Sequence, residues 1–130
     1  MTCYVDITTV FRGGQRGSGT ASVIIWTEKD GERHEAGPFY VSVVDETRNR
    51  LAILAVNEAL KHFVKPGQDI IIRMRETYVM ANLQYLDAWH AKDYVKRGGQ
   101  TVANSDEWRK LWMHKQNQRI TVEVLKDGAV

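Results

Sequence analysis

With 130 residues, 43% of them hydrophobic, the chain is long enough for one cored domain over 1–130 and too short for two ordinary ones. Its 18 basic and 16 acidic residues leave a net charge of +2, which by itself selects neither a nucleic-acid nor a protein partner. No apolar run approaches the roughly 20 residues of a membrane helix, and the first residues lack a basic then apolar leader, so no membrane partner and a cytoplasmic location are expected. Cys3 is the only cysteine and is expected as a small buried thiol.

In chain order, Tyr4 to Phe11 is rich in β-branched and aromatic residues and predicts a strand, followed by a glycine-rich loop from Arg12 to Gly19. A second strand is predicted over Thr20 to Glu28. The Asp30-Gly31 pair then signals a tight turn, and a third strand follows from Arg33 to about Val44. Pro38 cannot donate a ladder hydrogen bond, so this third strand should lie at a sheet edge or carry a bulge beside Gly37.

The period then changes. Asp45 or Thr47 can cap a helix whose apolar positions Ala52, Ile53, Val56, Ala59, Leu60 and Phe63 recur at helical spacing until Pro66-Gly67 stops it. Ile70-Ile71-Ile72 predicts a strand covered on both faces, with a helix after it around Tyr78 to Leu86. After the break at Gly98-Gly99, Asn104 or Ser105 can cap a helix carrying Trp108, Leu111 and Trp112, and Ile120 to Val124 alternates as a last strand. The order βββαβααβ predicts an α/β fold with a five-stranded mixed sheet.

Three segments carry a resemblance: Thr47-Arg48-Asn49-Arg50-Leu51 opening the first helix, Glu76-Thr77-Tyr78-Val79 after the fourth strand, and Val102-Ala103-Asn104-Ser105-Asp106-Glu107-Trp108. Together, in order and spacing, they resemble type 1 ribonuclease H from about Tyr4 to Leu125. The resemblance implies a ribonuclease H-like fold and a chemistry in which acidic side chains hold two divalent cations about 4 Å apart to hydrolyse a phosphodiester.

The family's acidic positions fall on Val10, Ala52 and Arg75, none of which binds magnesium. Its histidine-bearing loop, final aspartate and closing helix have no counterpart in Leu125 to Val130. Asp6 shares a strand face with Val10, but four residues of strand put it roughly 13 Å away. Glu46 and Glu76 are expected as ordinary surface. The resemblance therefore implies a pseudoenzyme with no metal and no cofactor; an active nuclease with relocated ligands is the weaker alternative.

What the resemblance keeps is binding. Thr47 and Thr77 match positions that hold a backbone phosphate, and Asn49 matches one that contacts the substrate backbone. Arg12, Arg16, Arg48 and Arg75 can add charge-assisted contacts, and Lys96 and Arg97 lie in a stretch, Trp89 to Arg119, where seven basic residues face three acidic ones. Each also has a plainer role: Thr47 as a cap, Asn49 as a local backbone partner, the lysines as a solvated face.

For the tryptophans, packing is favoured over stacking on a ligand, because Trp108 and Trp112 share a helix face. The four histidines show no metal-ligand spacing. The partner expected is nucleic acid, an RNA/DNA hybrid or duplex. The alternative is a protein-interaction or homodimerisation module, whose partner covers the surface left by the missing last helix.

Overall fold

The computed structural model describes residues 2–126. Five strands and four helices run β1 (Thr2–Gly13), β2 (Gly17–Lys29), β3 (Glu32–Glu46), α1 (Arg48–Leu60), β4 (Asp69–Met74), α2 (Tyr78–Leu83), α3 (Leu86–Ala91), α4 (Ser105–Asn117) and β5 (Arg119–Val124). The sheet order is β3-β2-β1-β4-β5, antiparallel from β1 to β3 and parallel from β1 through β4 to β5. The mixed α/β class expected from the sequence is therefore the observed one. Where one helix was expected after β4 there are two, because the chain turns at Gln84 and Tyr85.

The glycine-rich segment forms no loose loop. β1 and β2 extend to a tight hairpin, in which a Cβ on Gly17 would stand 2.0 Å from the Arg12 carbonyl oxygen, so the close approach requires glycine. Asp30 and Gly31 both adopt positive φ, 54° and 79°, as the Asp-Gly turn requires. β3 is an edge strand, and between Ala36 and Phe39 it carries one residue more than β2, so Gly37 and Pro38 are accommodated in an irregularity at the sheet margin.

Strand periodicity sorts the side chains onto two faces. Cys3, Val5 and Ile7 of β1, Ala21 and Val23 of β2, and Ile70, Ile72 and Met74 of β4 are buried beneath the helices. α1 supplies Leu51, Ala52, Ile53, Ala55, Val56, Ala59 and Leu60 to the same core. Thr47 caps this helix, its Oγ1 accepting a hydrogen bond from the Arg50 amide at 3.1 Å. Trp108 is fully buried, with Trp89 edge-on against it at 5.3 Å, while Trp112 stacks on His90 at 3.5 Å, so packing accounts for these rings.

The opposite sheet face carries Tyr4, Asp6, Thr8 and Val10 of β1 and their cross-strand partners. Part of it covers itself: Trp26 stacks on Tyr4 at 4.3 Å, Arg33 lies 4.1 Å over Trp26, and Arg73 lies 5.0 Å over Tyr4. Asp6 ties the group together, accepting from Trp26 Nε1 at 2.8 Å and Arg73 Nε at 3.2 Å. Farther along, Val10, Tyr40 and Val44 are 63%, 63% and 78% exposed. The expectations about a missing last helix and final acid fall on Asp127 to Val130, outside the described residues. No helix among the described residues is long and apolar enough to cross a membrane.

Candidate nucleic-acid interface

Where the parallel neighbours β1 and β4 end and α1 begins, a cleft of about 720 Å³ opens. Thr8 and Thr9 come from β1, Arg48 and Asn49 from the first turn of α1, and Arg75, Glu76, Thr77 and Tyr78 from the segment leaving β4. The first turn of α1 carries no acidic residue, so its unpaired amides keep their attraction for anions. Arg48 lies 4.8 Å over the Phe11 ring, which holds its guanidinium at the rim.

The wall behind the cleft is fastened by polar contacts. Tyr78 Oη accepts hydrogen bonds from Trp108 Nε1 at 3.0 Å and Asn104 Nδ2 at 3.1 Å. Arg50 donates to both carboxylate oxygens of Asp106, at 2.8 and 2.7 Å. That paired geometry holds the Asp106 carboxyl down at about 2. Asn104 stands at the helix N-cap position, as the sequence predicts, but its side chain does not cap: it reaches Tyr78 instead.

Of the residues singled out from the sequence, Arg48, Asn49, Arg75 and Thr77 meet in the cleft. Thr47 is occupied as the α1 cap. Arg16 is bound to Asp45, Nε to Oδ1 at 3.1 Å, with a second contact to the Asp45 carbonyl, and is not among the cleft-lining side chains. Arg12 lines a separate depression with Val10, Ser18, Gly19, Thr20 and Ser42. Lys96 and Arg97 sit at an exposed turn closed by the Val95–Thr101 bridge, apart from the cleft.

The first-strand position assigned to a family acid shifts as well. β1 and β4 run parallel with Asp6 level with Arg73, so two residues on, Thr8 rather than Val10 stands level with Arg75. Ala52 is fully buried in the core. Thr8, Thr9, Glu76 and Tyr78 were missed as cleft residues: Thr8 and Thr9 are brought there by the β1–β4 register, a long-range property, whereas Glu76 and Tyr78 flank Thr77 in the chain, a local signal that could have found them. Glu76 is no ordinary surface acid: its Oε2 is buried and has no hydrogen-bond partner among the described residues.

No family model matches the chain. Ribonuclease H of Syntrophomonas wolfei is 30% identical over 84 residues, covering 63% of this chain and 58% of that protein. Ribonuclease H of Neorickettsia sennetsu is 28% identical over 68 residues, covering 52% and 45%. The chain thus spans about half the length of the curated relatives it matches. LC9-RNase H1, a type 1 RNase H with the type 2 active-site motif, superposes with a TM-score of 0.77 at 16% identity over 98% of this chain and 64% of its own.

The chain has a ribonuclease H-like fold. A foamy viral protease-reverse transcriptase in complex with RNA/DNA hybrid shares it, with a TM-score of 0.69 at 16% identity over 95% of this chain and 17% of its own.

These likenesses correct one expectation, that the chain is not an enzyme: both curated relatives are ribonuclease H, an enzyme. One physical ground for that expectation also weakens, since Glu76, expected as ordinary surface, is a carboxylate that lines the cleft. The described residues nonetheless do not fit the family's pair of divalent cations. Among them, no group of three or more His, Cys, Asp or Glu side chains converges as a metal site, and the carboxylate lining the cleft shares it with two guanidiniums. Chemically, the cleft offers cations, hydroxyls and an amide suited to phosphate oxygens.

Proposed function

We propose that residues 1–130 form a ribonuclease H-like nucleic-acid-binding domain that grips the phosphate backbone of an RNA/DNA hybrid or duplex in the β1/β4/α1 cleft. The observation that carries this reading is the convergence of Arg48, Asn49, Arg75 and Thr77, from two separate chain segments, on one opening at a helix N-terminus. Arg48 and Arg75 supply charge, and Asn49 and Thr77 supply short polar groups that fix register without reading sequence.

The test is anisotropy titration of a labelled hybrid at low and moderate salt. Affinity should fall steeply as salt rises, and Arg75→Ala should weaken binding to hybrids of different sequence alike. Absence of binding at low salt, or an Arg75→Ala variant that binds unchanged, removes the reading.

A second reading, a nuclease, is favoured by the buried Oε2 of Glu76 in the cleft, without a hydrogen-bond partner among the described residues, and by the enzyme relatives. Cleavage of hybrid in Mn²⁺ that Glu76→Gln abolishes would support it; cleavage indifferent to that change would place the chemistry elsewhere.

A further inference from the structure

We propose that the open sheet face beside the cleft binds a single-stranded extension of the bound nucleic acid, with Tyr40 as the surface on which a base stacks. The inference rests on the reading that the cleft holds a phosphate backbone. The strand register supplies the path. Thr8 of β1 pairs with Ser22 of β2, which pairs with Tyr40 of β3; the next row toward the hairpin is Val10, Thr20 and Ser42. Thr8 lines the cleft, so the first row runs from the cleft to the edge strand without a break.

Two strand spacings separate Thr8 from Tyr40, about 10 Å. That distance is spanned by about three stacked nucleotides at roughly 3.4 Å each. Along it lies Ser22, and in the next row the hydroxyls of Thr20 and Ser42 are hydrogen-bonded to each other at 2.8 Å. Arg12 stands exposed at the hairpin end, with no ion pair among the described residues.

Tyr40 differs from the other aromatics of this face. Tyr4 and Trp26 stack on each other beneath Arg33 and Arg73, so their ring surfaces are already used. Tyr40 is 63% exposed, and its ring makes no aromatic or cation contact among the described residues. An exposed ring on a sheet, beside the hydroxyl residues Ser22 across the strand and Ser42 two along, suits unpaired bases, because every base has a π-face and stacking needs no sequence. A protein partner fits less well: stable interfaces bury about 800 Å² per side, and the apolar content here is three side chains, Val10, Tyr40 and Val44. A duplex keeps its bases stacked inside and leaves none for Tyr40.

The experiment compares a blunt labelled hybrid with the same hybrid carrying a six-nucleotide single-stranded extension at one end or the other. The extension at one end should tighten binding about tenfold, within the range of one stacked base. Tyr40→Ala should erase that gain and Tyr40→Phe should keep it, while both bind the blunt hybrid like the unaltered chain. No gain at either end, or a gain that survives Tyr40→Ala, overturns the proposal and leaves the cleft reading standing. If the blunt hybrid does not bind at all, the cleft reading falls. Tyr40-dependent binding of the free single strand would then keep the face, and its absence would remove both. A dimer seen by light scattering and lost in Tyr40→Ala would assign the patch to a second copy and overturn the proposal.

Discussion

Arg50 and Asp106 join α1 to α4 through two parallel hydrogen bonds of 2.8 and 2.7 Å, immediately behind the turn that presents Arg48 and Asn49. The pair lowers the Asp106 carboxyl from the ordinary 3.8 to about 2. A lowered carboxyl contributes stability that is complete above the unfolded value and is lost as pH falls toward the folded one. Asp106 is 58% exposed, so solvent screening leaves about 1 kcal/mol of that contribution. Urea unfolding of the unaltered chain should lose this increment between pH 4 and pH 2, and Asp106→Asn should lack it at neutral pH. A variant with the same pH profile as the parent would show that the pair contributes nothing.

Tyr78→Phe should cost more than an exposed hydroxyl would. The Tyr78 oxygen accepts from the indole of Trp108, a residue with no exposed surface, so its removal strands a buried donor. The expected loss is about 1–3 kcal/mol. Denaturant midpoints measured with an unchanged slope are the check, and a shift within error would mean that Trp108 finds another acceptor.

Thr47→Ala separates capping from phosphate contact. The hydroxyl accepts from the Arg50 amide and does not line the cleft, so its loss should lower stability by about 1 kcal/mol, and Thr47→Ser should restore it. Hybrid affinity, measured where both variants are folded, should change less for Thr47→Ala than for Asn49→Ala. The reverse order would return Thr47 to the interface.

Arg48→Ala should reduce the slope of log affinity against log salt by about one, as expected when one phosphate contact is lost. Arg109→Ala is the control, because Arg109 is paired with Asp93 at 2.9 Å, outside the cleft-lining set. Equal slopes for the two variants would argue that binding follows overall charge rather than the cleft.

Local chemistry was legible in the sequence. The Asp-Gly turn, the period change into α1, the Thr47 cap and the marginal position of the strand with Pro38 each depend on residues close together in the chain. So does the first turn of α1, which places Arg48 and Asn49 side by side. Division of the segment after β4 into α2 and α3 was not legible, because Met80, Leu83, Tyr85 and Leu86 suit one helix as well as two short ones.

The sequence by itself determined the alternation of apolar and polar positions, and with it the five strands, the helical layer and the ribonuclease H-like order, because burial acts on each side chain through its neighbours in the chain. Only the tertiary structure decided what meets what. A parallel pairing with no connecting hairpin leaves its register to the packing of whole elements. That register set Thr8, not Val10, level with Arg75 and in one cleft with Glu76, while the two hairpin registers aligned Thr8, Ser22 and Tyr40 in one row across three strands.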